Sequence, residues 1–384
     1  MIQHEENNKV DNAISNNDSV AVKKILVIHP YLNEIGGAEE VLLKILETLI
    51  EQKQDCYLLG ELPLGKIFDN IPSSSIKQIH YPSETKSGSK RFQAHRRLLF
   101  HHSKLKGKLR KEVGKMDLEI STSDLMYLIG ASKKRVAYVH FPENLTRMQN
   151  PDLKHRWFWK LFYLPITFQC KRHVKKTDLL LCNSHYTQNA IMTCWKREAE
   201  VVYPPVDIEE FKPAQKKEQL VISVGRFVPT KNYETIIQVA IQLPNVKFVI
   251  VGRKRPNDPY YDKIAKLKPD NVELNADATH DYISDLLSKA KVYLHCMVGE
   301  HFGISIGEAM AAGCIPVIHN SGGSKEIVGN YGFLYNNTEE CVKAIEEALQ
   351  SETNPIDITE HAKIFSDSNF RKNFISVLKK KGYI

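Results

Sequence analysis

The stretch at residues 299–323, GEHFGISIGEAMAAGCIPVIHNSGG, constrains the fold of this chain more than any other. An apolar run at 291–295 precedes it and a second apolar run, 315–319, lies inside it. Each run is short enough to be a buried strand, and each leads through a glycine-containing turn into a segment typical of a helix. Two strand–turn–helix units in succession predict an α/β domain.

The first of these turns, at 299–305, also has residues suited to binding a ligand. It would place free backbone N–H groups at a helix N-terminus, which suits an anion, and glycine lets a phosphate approach the backbone closely. Glu300 and Glu308 lie eight residues apart around the turn, and carboxylates accept hydrogen bonds from vicinal hydroxyls. The pattern indicates a ligand with both phosphate and sugar, although two ordinary strand–helix turns of an α/β domain would also give it.

The spacing Glu300-x7-Glu308 within EHFGISIGEAMAAG resembles the signature of the retaining family 4 glycosyltransferases. The form EHFGI, MAAG and HNSGG is similar to that of the GDP-mannose-dependent α-1,2-mannosyltransferases that extend dolichol-linked oligosaccharide. The resemblance extends over residues 24–370. It implies a GT-B fold, in which two doubly wound Rossmann-like domains face a cleft and a C-terminal helix crosses back to the first domain.

The length of 384 residues also favours two domains. We expect a disordered, Asn-rich leader at 1–22, an acceptor domain at 23–204, a nucleotide-sugar domain at 205–364 and a crossover helix at 365–384. The seven cysteines are scattered without a C-x-x-C pair, which fits reduced thiols in a cytosol. No apolar run is long enough to span a membrane, so a cytoplasmic location is expected.

Positive charge is concentrated in the first domain. Residues 1–205 carry 31 lysines and arginines against 22 acidic residues, and the segment 86–115 carries eleven against one. Leucines and phenylalanines interleave with these charges roughly as on one helix face, so we interpret 86–115 as a basic amphipathic surface helix that meets an anionic membrane. A solvated, partly disordered loop is the alternative.

In the first domain, two groups of candidate ligand-binding residues come directly after predicted strands. Gly36 and Gly37 open a helix after the strand at 24–28, and in the resembling family this turn lies near the donor phosphate and the acceptor. From the residues alone, a plain tight turn is the simpler interpretation. His140 ends the strand at 135–140, where α/β sheets bind ligands, and the family has a histidine beside the transferred sugar at this position.

The second domain opens with a buried strand that ends at Gly225, followed by Arg226 and Lys231 five residues apart. The planar fork of an arginine and the point charge of a lysine can together balance a diphosphate, as the family's G-R-x-x-x-x-K signature implies. A further strand and turn end at Gly252, the usual place of a nucleotide-base contact in this fold.

These residues predict transfer of a sugar from a nucleotide diphosphate donor to a hydroxyl. The predicted catalytic residues are His140, Glu300, Arg226 and Lys231; the predicted donor-binding residues are Gly36, Gly37, Gly225, Arg226, Lys231, Gly252, Glu300, Phe302, Gly303, Ile304 and Glu308. Glu300 would bind the sugar hydroxyls and Glu308 the ribose hydroxyls. The resemblance implies retention by front-face attack, with His140 orienting the sugar.

The sequence has no D-x-D motif, so no metal and no further cofactor are expected. The expected partners are GDP-mannose as donor, a lipid-linked or glycan acceptor, and an anionic membrane surface; nucleic acid is not expected. The alternatives are a UDP-sugar-dependent transferase of polysaccharide or glycoconjugate synthesis, a polyanion or nucleic-acid binder, and an inactive GT-B scaffold.

Overall fold

The computed structural model of the chain describes residues 22–30, 36–60, 71–80, 102–123, 125–142 and 170–384, with Phe68, Leu164 and Phe168. Its first sheet has seven parallel strands, ordered β3-β2-β1-β4-β5-β6-β7. In chain order these are β1 Lys24–Ile28, β2 Asp55–Gly60, β3 Ile76–His80, β4 Met116–Ser121, β5 Ser132–Val139, β6 Leu179–Cys182 and β7 Glu200–Val201. Helices α1 (Gly37–Glu51), α2 (His102–Glu112) and α3 (His185–Trp195) belong to this domain.

The second sheet has six parallel strands, ordered β10-β9-β8-β11-β12-β13. Its strands are β8 Glu218–Val224, β9 Lys247–Gly252, β10 Val272–Ala276, β11 Ala290–His295, β12 Ile315–His319 and β13 Phe333–Tyr335. The helices are α4 Tyr233–Gln242, α5 Pro259–Leu267, α6 His280–Lys289, α7 Ile304–Ala311, α8 Ser324–Val328, α9 Thr338–Gln350, α10 Pro355–Ala362 and α11 Asp367–Lys380. The two parallel sheets with helices between their strands confirm the predicted fold class.

In both sheets the strand order reverses next to the first strand of the domain, between β1 and β4 and between β8 and β11. At such a reversal the neighbouring connections leave on opposite faces of the sheet, and a crevice opens beyond the carboxyl ends of the strands. His29 follows β1 and Gly225 follows β8 at these two points. The topology thus places both ends of the predicted site where parallel sheets bind ligands.

The chain crosses between the domains twice, and the two crossings pair with each other. The Val206 N–H donates to the Phe365 carbonyl at 2.8 Å, and Val206 forms a parallel bridge with Ser366. Beyond this point α11 returns to the first domain, where Phe370 and Phe374 are buried among the residues of its core. The second crossing therefore joins the two domains and also leads into the helix that covers the core of the first domain.

The basic segment, expected to be a surface helix that meets a membrane, is described only in its second half, and its membrane contact stays a prediction. Its residues 86–101 lie outside the described part of the chain, and the remainder contains α2. Leu105 and Leu109 of α2 are buried in a core cluster with Leu26 and Met116. The apolar positions of α2 that the structure describes are used inside the domain, whereas Lys108, Arg110, Lys111 and Glu112 are exposed.

The aromatic-rich segment at 153–176 is described only in part. It is helical at 170–176, where Cys170 and Val174 are buried, whereas Leu164 and Phe168 are exposed. Among the described residues, no helix has the length and apolar character needed to cross a membrane. The predicted leader at 1–22 lies outside the described residues except for its last one.

Candidate functional site between the two sheets

The turn between β11 and α7 is built on backbone that glycine adopts easily. Gly299 has φ +70° and Gly303, which immediately precedes α7, has φ +104°. The turn packs against the next one, because the Gly323 N–H donates to the Glu300 carbonyl at 2.7 Å. A Cβ at Gly322 would lie 2.2 Å from that same carbonyl oxygen. The two glycine-rich turns that the sequence singled out therefore support each other through direct backbone contact.

The Glu300 carboxylate is held by two side chains from neighbouring loops and strands. Its Oε2 accepts from Lys231 Nζ at 2.9 Å and lies 3.1 Å from His295 Nε2. Burial alone would raise its pKa, but the hydrogen bond from His295 and the charge of Lys231 hold the pKa of Glu300 well below its usual range. Glu300 is therefore a carboxylate at every physiological pH.

The loop after β8 brings further predicted residues to Glu300. Lys231 ends a short 3₁₀ turn, Pro229–Lys231, and its Cε would lie 3.4 Å from a Cβ at Gly225. A Cβ at Gly252 would lie only 1.7 Å from the Gly225 carbonyl oxygen, so Gly252 allows the ends of β8 and β9 to touch. Arg226 is exposed on the same loop.

The first domain reaches the turn through the N-terminus of α1. Gly36 precedes α1 and Gly37 is its first residue, so both lie at this helix end. A Cβ at Gly37 would lie 2.8 Å from Cδ1 of Ile304, the first residue of α7. Two helix N-termini, one from each domain, thus meet across the cleft, and each presents unpaired N–H groups and partial positive charge.

His140 lies at the end of β5, in a polar cluster at the same edge of the first sheet. Its Nε2 is 3.1 Å from the Thr122 carbonyl oxygen, which can only accept, so Nε2 carries the proton. Burial and the nearby His29 lower the pKa of His140 to about 4. His140 is therefore neutral at physiological pH and is a weak base.

His29 and Glu39 complete this cluster, and the sequence had not singled them out. His29 Nδ1 is 2.8 Å from Thr122 Oγ1, and its Nε2 is 3.4 Å from Glu39 Oε1. The rule that pointed to His140, a histidine at the carboxyl end of a strand, applies equally to His29 after β1. Glu39 belongs to the GGAE turn whose glycines were predicted to bind the donor.

Glu308 lies inside α7 in surroundings opposite to those of Glu300. It is half-buried, and the charged groups that act on it most are acidic: Glu40 of α1, then Asp207 and Glu210 after the first crossing. Burial and these negative charges raise the pKa of Glu308 to about 7. No hydrogen bond within the described residues engages its carboxylate, which leaves both oxygens for a donor of hydroxyl groups.

Contacts beside the cleft join the two domains directly. Ser184 of the first domain donates to the His301 carbonyl at 2.7 Å, and the rings of Phe141 and His301 stack with centroids 4.0 Å apart. Glu326 of α8 accepts from the backbone N–H groups of His185 and Tyr186 at 2.9 and 2.8 Å. A carboxylate from the second domain therefore caps the N-terminus of α3 in the first.

The structure brings most of the predicted residues together. Glu300, Lys231, Gly225, Gly252 and Gly303 form one group; Gly37 contacts Ile304, and His140 is near His301. The Phe302 side chain is turned away from this group, buried in the second core. No cluster of three or more metal-ligating side chains occurs among the described residues, and metal independence remains a prediction.

Comparisons with known proteins point in the same direction as this geometry. Residues 206–365 match the family model described as "Glycosyl transferases group 1". A Dictyostelium discoideum protein named GDP-Man:Man(3)GlcNAc(2)-PP-Dol alpha-1,2-mannosyltransferase is 29% identical over 310 residues, which are 67% of this chain and 61% of that protein. The Homo sapiens protein of the same name is 32% identical over 239 residues, 53% of this chain and 49% of the relative. The chain thus spans about half to three fifths of the length of these curated relatives.

Solved structures agree on the fold. An Anabaena protein, HepE, in complex with UDP and glucose superposes with a TM-score of 0.71 at 17% identity, over 93% of this chain and 99% of that one. Sucrose-phosphate synthase from Thermosynechococcus elongatus gives 0.73 at 15% identity, over 93% and 98%. At such identities the likeness concerns architecture alone. Residues 206–365 thus match the glycosyl transferases group 1 family model, and the chain has a two-domain GT-B fold.

Proposed function

We propose that the protein transfers mannose from GDP-mannose to a hydroxyl of a lipid-linked oligosaccharide, with retention of anomeric configuration and without a metal ion. The observation that carries the proposal is the Glu300 turn. A permanently ionised carboxylate there, paired with Lys231, stands just before the N-terminus of α7. This arrangement presents an acceptor for sugar hydroxyls beside donors for a phosphate.

The donor would lie across the carboxyl ends of β8 and β11. Lys231, Arg226 and the first N–H groups of α7 would neutralise its diphosphate, and Gly225 and Gly252 leave the backbone open there. Glu308, whose carboxylate has no partner among the described residues, would accept from the ribose hydroxyls. When Lys231 binds the diphosphate instead of Glu300, the freed Glu300 carboxylate would accept hydrogen bonds from the hydroxyls of the sugar.

The chemical step would break the bond between the anomeric carbon and the β-phosphate oxygen, and that oxygen keeps the electron pair. The acceptor oxygen would bond to the anomeric carbon on the same face, and its proton would pass to the departing phosphate. Lys231 and the helix N-termini stabilise the charge that develops on the phosphate. His140, neutral and with a pKa near 4, orients the sugar rather than removing the proton.

The choice of GDP-mannose and of a lipid-linked acceptor rests on the names of the curated relatives. A UDP-sugar is the second candidate donor, because HepE, which shares the fold, was solved with UDP and glucose. A lipid-linked acceptor would bring the protein to a membrane surface. We place it on the cytoplasmic face, where the basic surface of the first domain can meet anionic headgroups.

A donor panel tests the proposal. Nucleotide release and thermal shift are followed with GDP-mannose, UDP-glucose, UDP-GlcNAc and UDP-galactose, each in EDTA, on wild type and Glu308→Ala. We expect GDP-mannose alone to raise the melting temperature, and the variant to lose that shift, because it lacks the ribose contact. Glu346→Ala, exposed on α9, serves as the control.

Each other outcome removes a defined part of the proposal. A response to a UDP-sugar keeps the site but discards mannose and the dolichol-linked acceptor. A response that EDTA abolishes discards metal independence. No response to any donor leaves the scaffold and polyanion hypotheses.

A further inference from the structure

A pocket of about 400 Å³ opens at the amino edge of the first sheet, the edge opposite the cleft. It lies where the chain enters β4, β5 and β6, with α2 along one side. Its basic lining consists of Lys106, Arg110, Lys115, Lys133, Arg135 and Lys176, and its acidic lining of Asp178. Since the predicted donor site occupies the carboxyl edge, the proposed transfer does not use this pocket.

Two of the cations converge on one point of the pocket wall. A Cβ at Gly130 would lie 2.9 Å from Arg135 Nη2 and 3.6 Å from Lys106 Nζ. Gly130 has φ +71°, so this close approach uses backbone that glycine favours. Both nitrogens approach the same point, and two like charges so placed repel each other more strongly where they are half-buried than in water. Such an arrangement favours a counterion between them.

The acidic groups nearby are already engaged by backbone. Buried Glu119 accepts from the N–H groups of Ile129 and Gly130 at 2.5 and 3.1 Å, and from those of Ala131 and Ser132 at 2.8 and 3.4 Å. Asp178 accepts from the Arg135 N–H at 2.9 Å. Neither carboxylate forms an ion pair with the pocket-facing groups of Arg135 or Lys106 among the described residues.

Arg135 also has an unused donor. Its Nε is buried and has no hydrogen-bond partner among the described residues, so the charge of the guanidinium is only partly compensated within the protein. A guanidinium binds phosphate oxygens through two parallel N–H groups, and lysines act beside it as point charges. An oxyanion in the pocket would bind the terminal Nη2 of Arg135, beside Gly130, and would relieve the repulsion with Lys106 at the same time.

We propose that this pocket binds a phosphate-bearing anion of two or more negative charges. The ligand is either a free phosphorylated compound or a phosphomonoester headgroup of a membrane lipid. Both present the same chemistry to Arg135 and Lys106. The lysines around the rim attract the anion electrostatically, and Arg135 and Lys106 bind it.

Lysine footprinting tests the site residue by residue. The full chain is acetylated with an amine-reactive ester at physiological salt, and each modified lysine is quantified by peptide mass spectrometry. The probes are inorganic pyrophosphate, and phosphatidylcholine vesicles with or without phosphatidic acid. We expect a saturable slowing of about fivefold or more at Lys106, Lys133 and Lys176 with one of these anionic probes. Exposed Lys372 and Lys380 of α11 are the internal controls.

The variant Arg135→Gln should lose this protection. Since Arg135 also lies near buried Glu119, a second variant, Lys106→Gln with Lys115→Gln, removes charge without touching that carboxylate, and protection is then measured at Lys133 and Lys176. Protection by pyrophosphate that both variants lose identifies a free ligand; protection only by phosphatidic acid identifies a headgroup. Protection by neither probe, or equal protection of Lys372 and Lys380, overturns the proposal. So does protection that both variants retain.

Discussion

Glu300 and Glu308 belong to one short stretch around α7, yet the protein gives them opposite electrostatic surroundings. Glu300 is paired with Lys231 and His295, and its pKa lies well below the usual range. Glu308 is surrounded by acidic groups, and its pKa is raised to about 7. Burial acts in the same direction on both, so the difference comes from the hydrogen bond that His295 gives Glu300 and from the neighbouring charges. Two glutamates of one motif are therefore prepared for different tasks.

The largest effect should follow from neutralising the paired glutamate. We expect Glu300→Gln to lower kcat/KM for the donor that the panel identifies by about a hundredfold, equivalent to about 3 kcal/mol of transition-state stabilisation. The amide keeps the shape but loses the charge that pairs with Lys231 and that, in the proposed function, binds the sugar hydroxyls. Steady-state kinetics check this result.

Glu273→Gln is the matched control, because Glu273 is an exposed carboxylate whose ion pair with Lys247 lies outside the cleft. A loss of less than about threefold in Glu300→Gln, or an equal loss in the control, would contradict a special role for Glu300.

A smaller effect, on stability, should follow from removing the Lys231 charge while the buried Glu300 carboxylate stays. Lys231→Gln should lower the free energy of unfolding by about 2 kcal/mol at pH 8, because Glu300 then keeps no cationic partner, only His295 and the His301 N–H. A carboxyl with a depressed pKa stabilises the fold above its unfolded pKa and loses that contribution as pH falls. The difference from wild type should therefore shrink below pH 4. Urea unfolding at several pH values measures it.

Lys263→Gln tests whether any lost ion pair behaves in this way. Lys263 is more than half exposed and pairs with Glu234 at 2.8 Å, so its loss should cost less than about 1 kcal/mol. Equal destabilisation by Lys231→Gln and Lys263→Gln would show that Glu300 is not electrostatically special.

The smallest effect should have the opposite sign and come from Glu308. A carboxyl with a raised pKa destabilises the fold once it ionises, so stability falls as pH rises from the unfolded pKa through about 7. Glu308→Gln should therefore raise the free energy of unfolding by about 1 kcal/mol at pH 8 and change it little at pH 5. This value is below the full effect of the pKa shift because water reaches part of the Glu308 side chain and screens the neighbouring charges.

Urea unfolding at the two pH values checks the Glu308 prediction. Glu346→Gln, exposed on α9, should change neither value. A destabilised Glu308→Gln at pH 8 would mean that the carboxylate has a cationic or hydrogen-bonding partner, and the contrast with Glu300 would fail.

Local patterns were enough to predict the elements of the site. The apolar runs, the glycines after them and the helix beginning near Ser305 follow from backbone sterics and periodicity within a few residues. The structure has these as β11, the turn with Gly303 at φ +104°, and α7. The same local rule could have identified His29, which follows β1 as His140 follows β5.

Contacts between distant segments could not be predicted in this way. The interleaved leucines of 86–115 suggested a face toward a membrane, whereas Leu105 and Leu109 pack into the core of the first domain. Periodicity identifies an apolar face but does not say what covers it. The cap that Glu326 places on α3 joins residues 140 or more positions apart, and no local signal marks such a pair.

The sequence by itself determined the alternation of strands and helices and the residue types that meet in the cleft. The tertiary structure alone decided what each of those residues experiences. It gave Glu300 a lysine from the β8 loop and gave Glu308 the carboxylates of Glu40 and Asp207. The physical reason is range: secondary structure depends on the nearest residues in the chain, whereas a pKa depends on every charge within several ångströms and on exclusion of water.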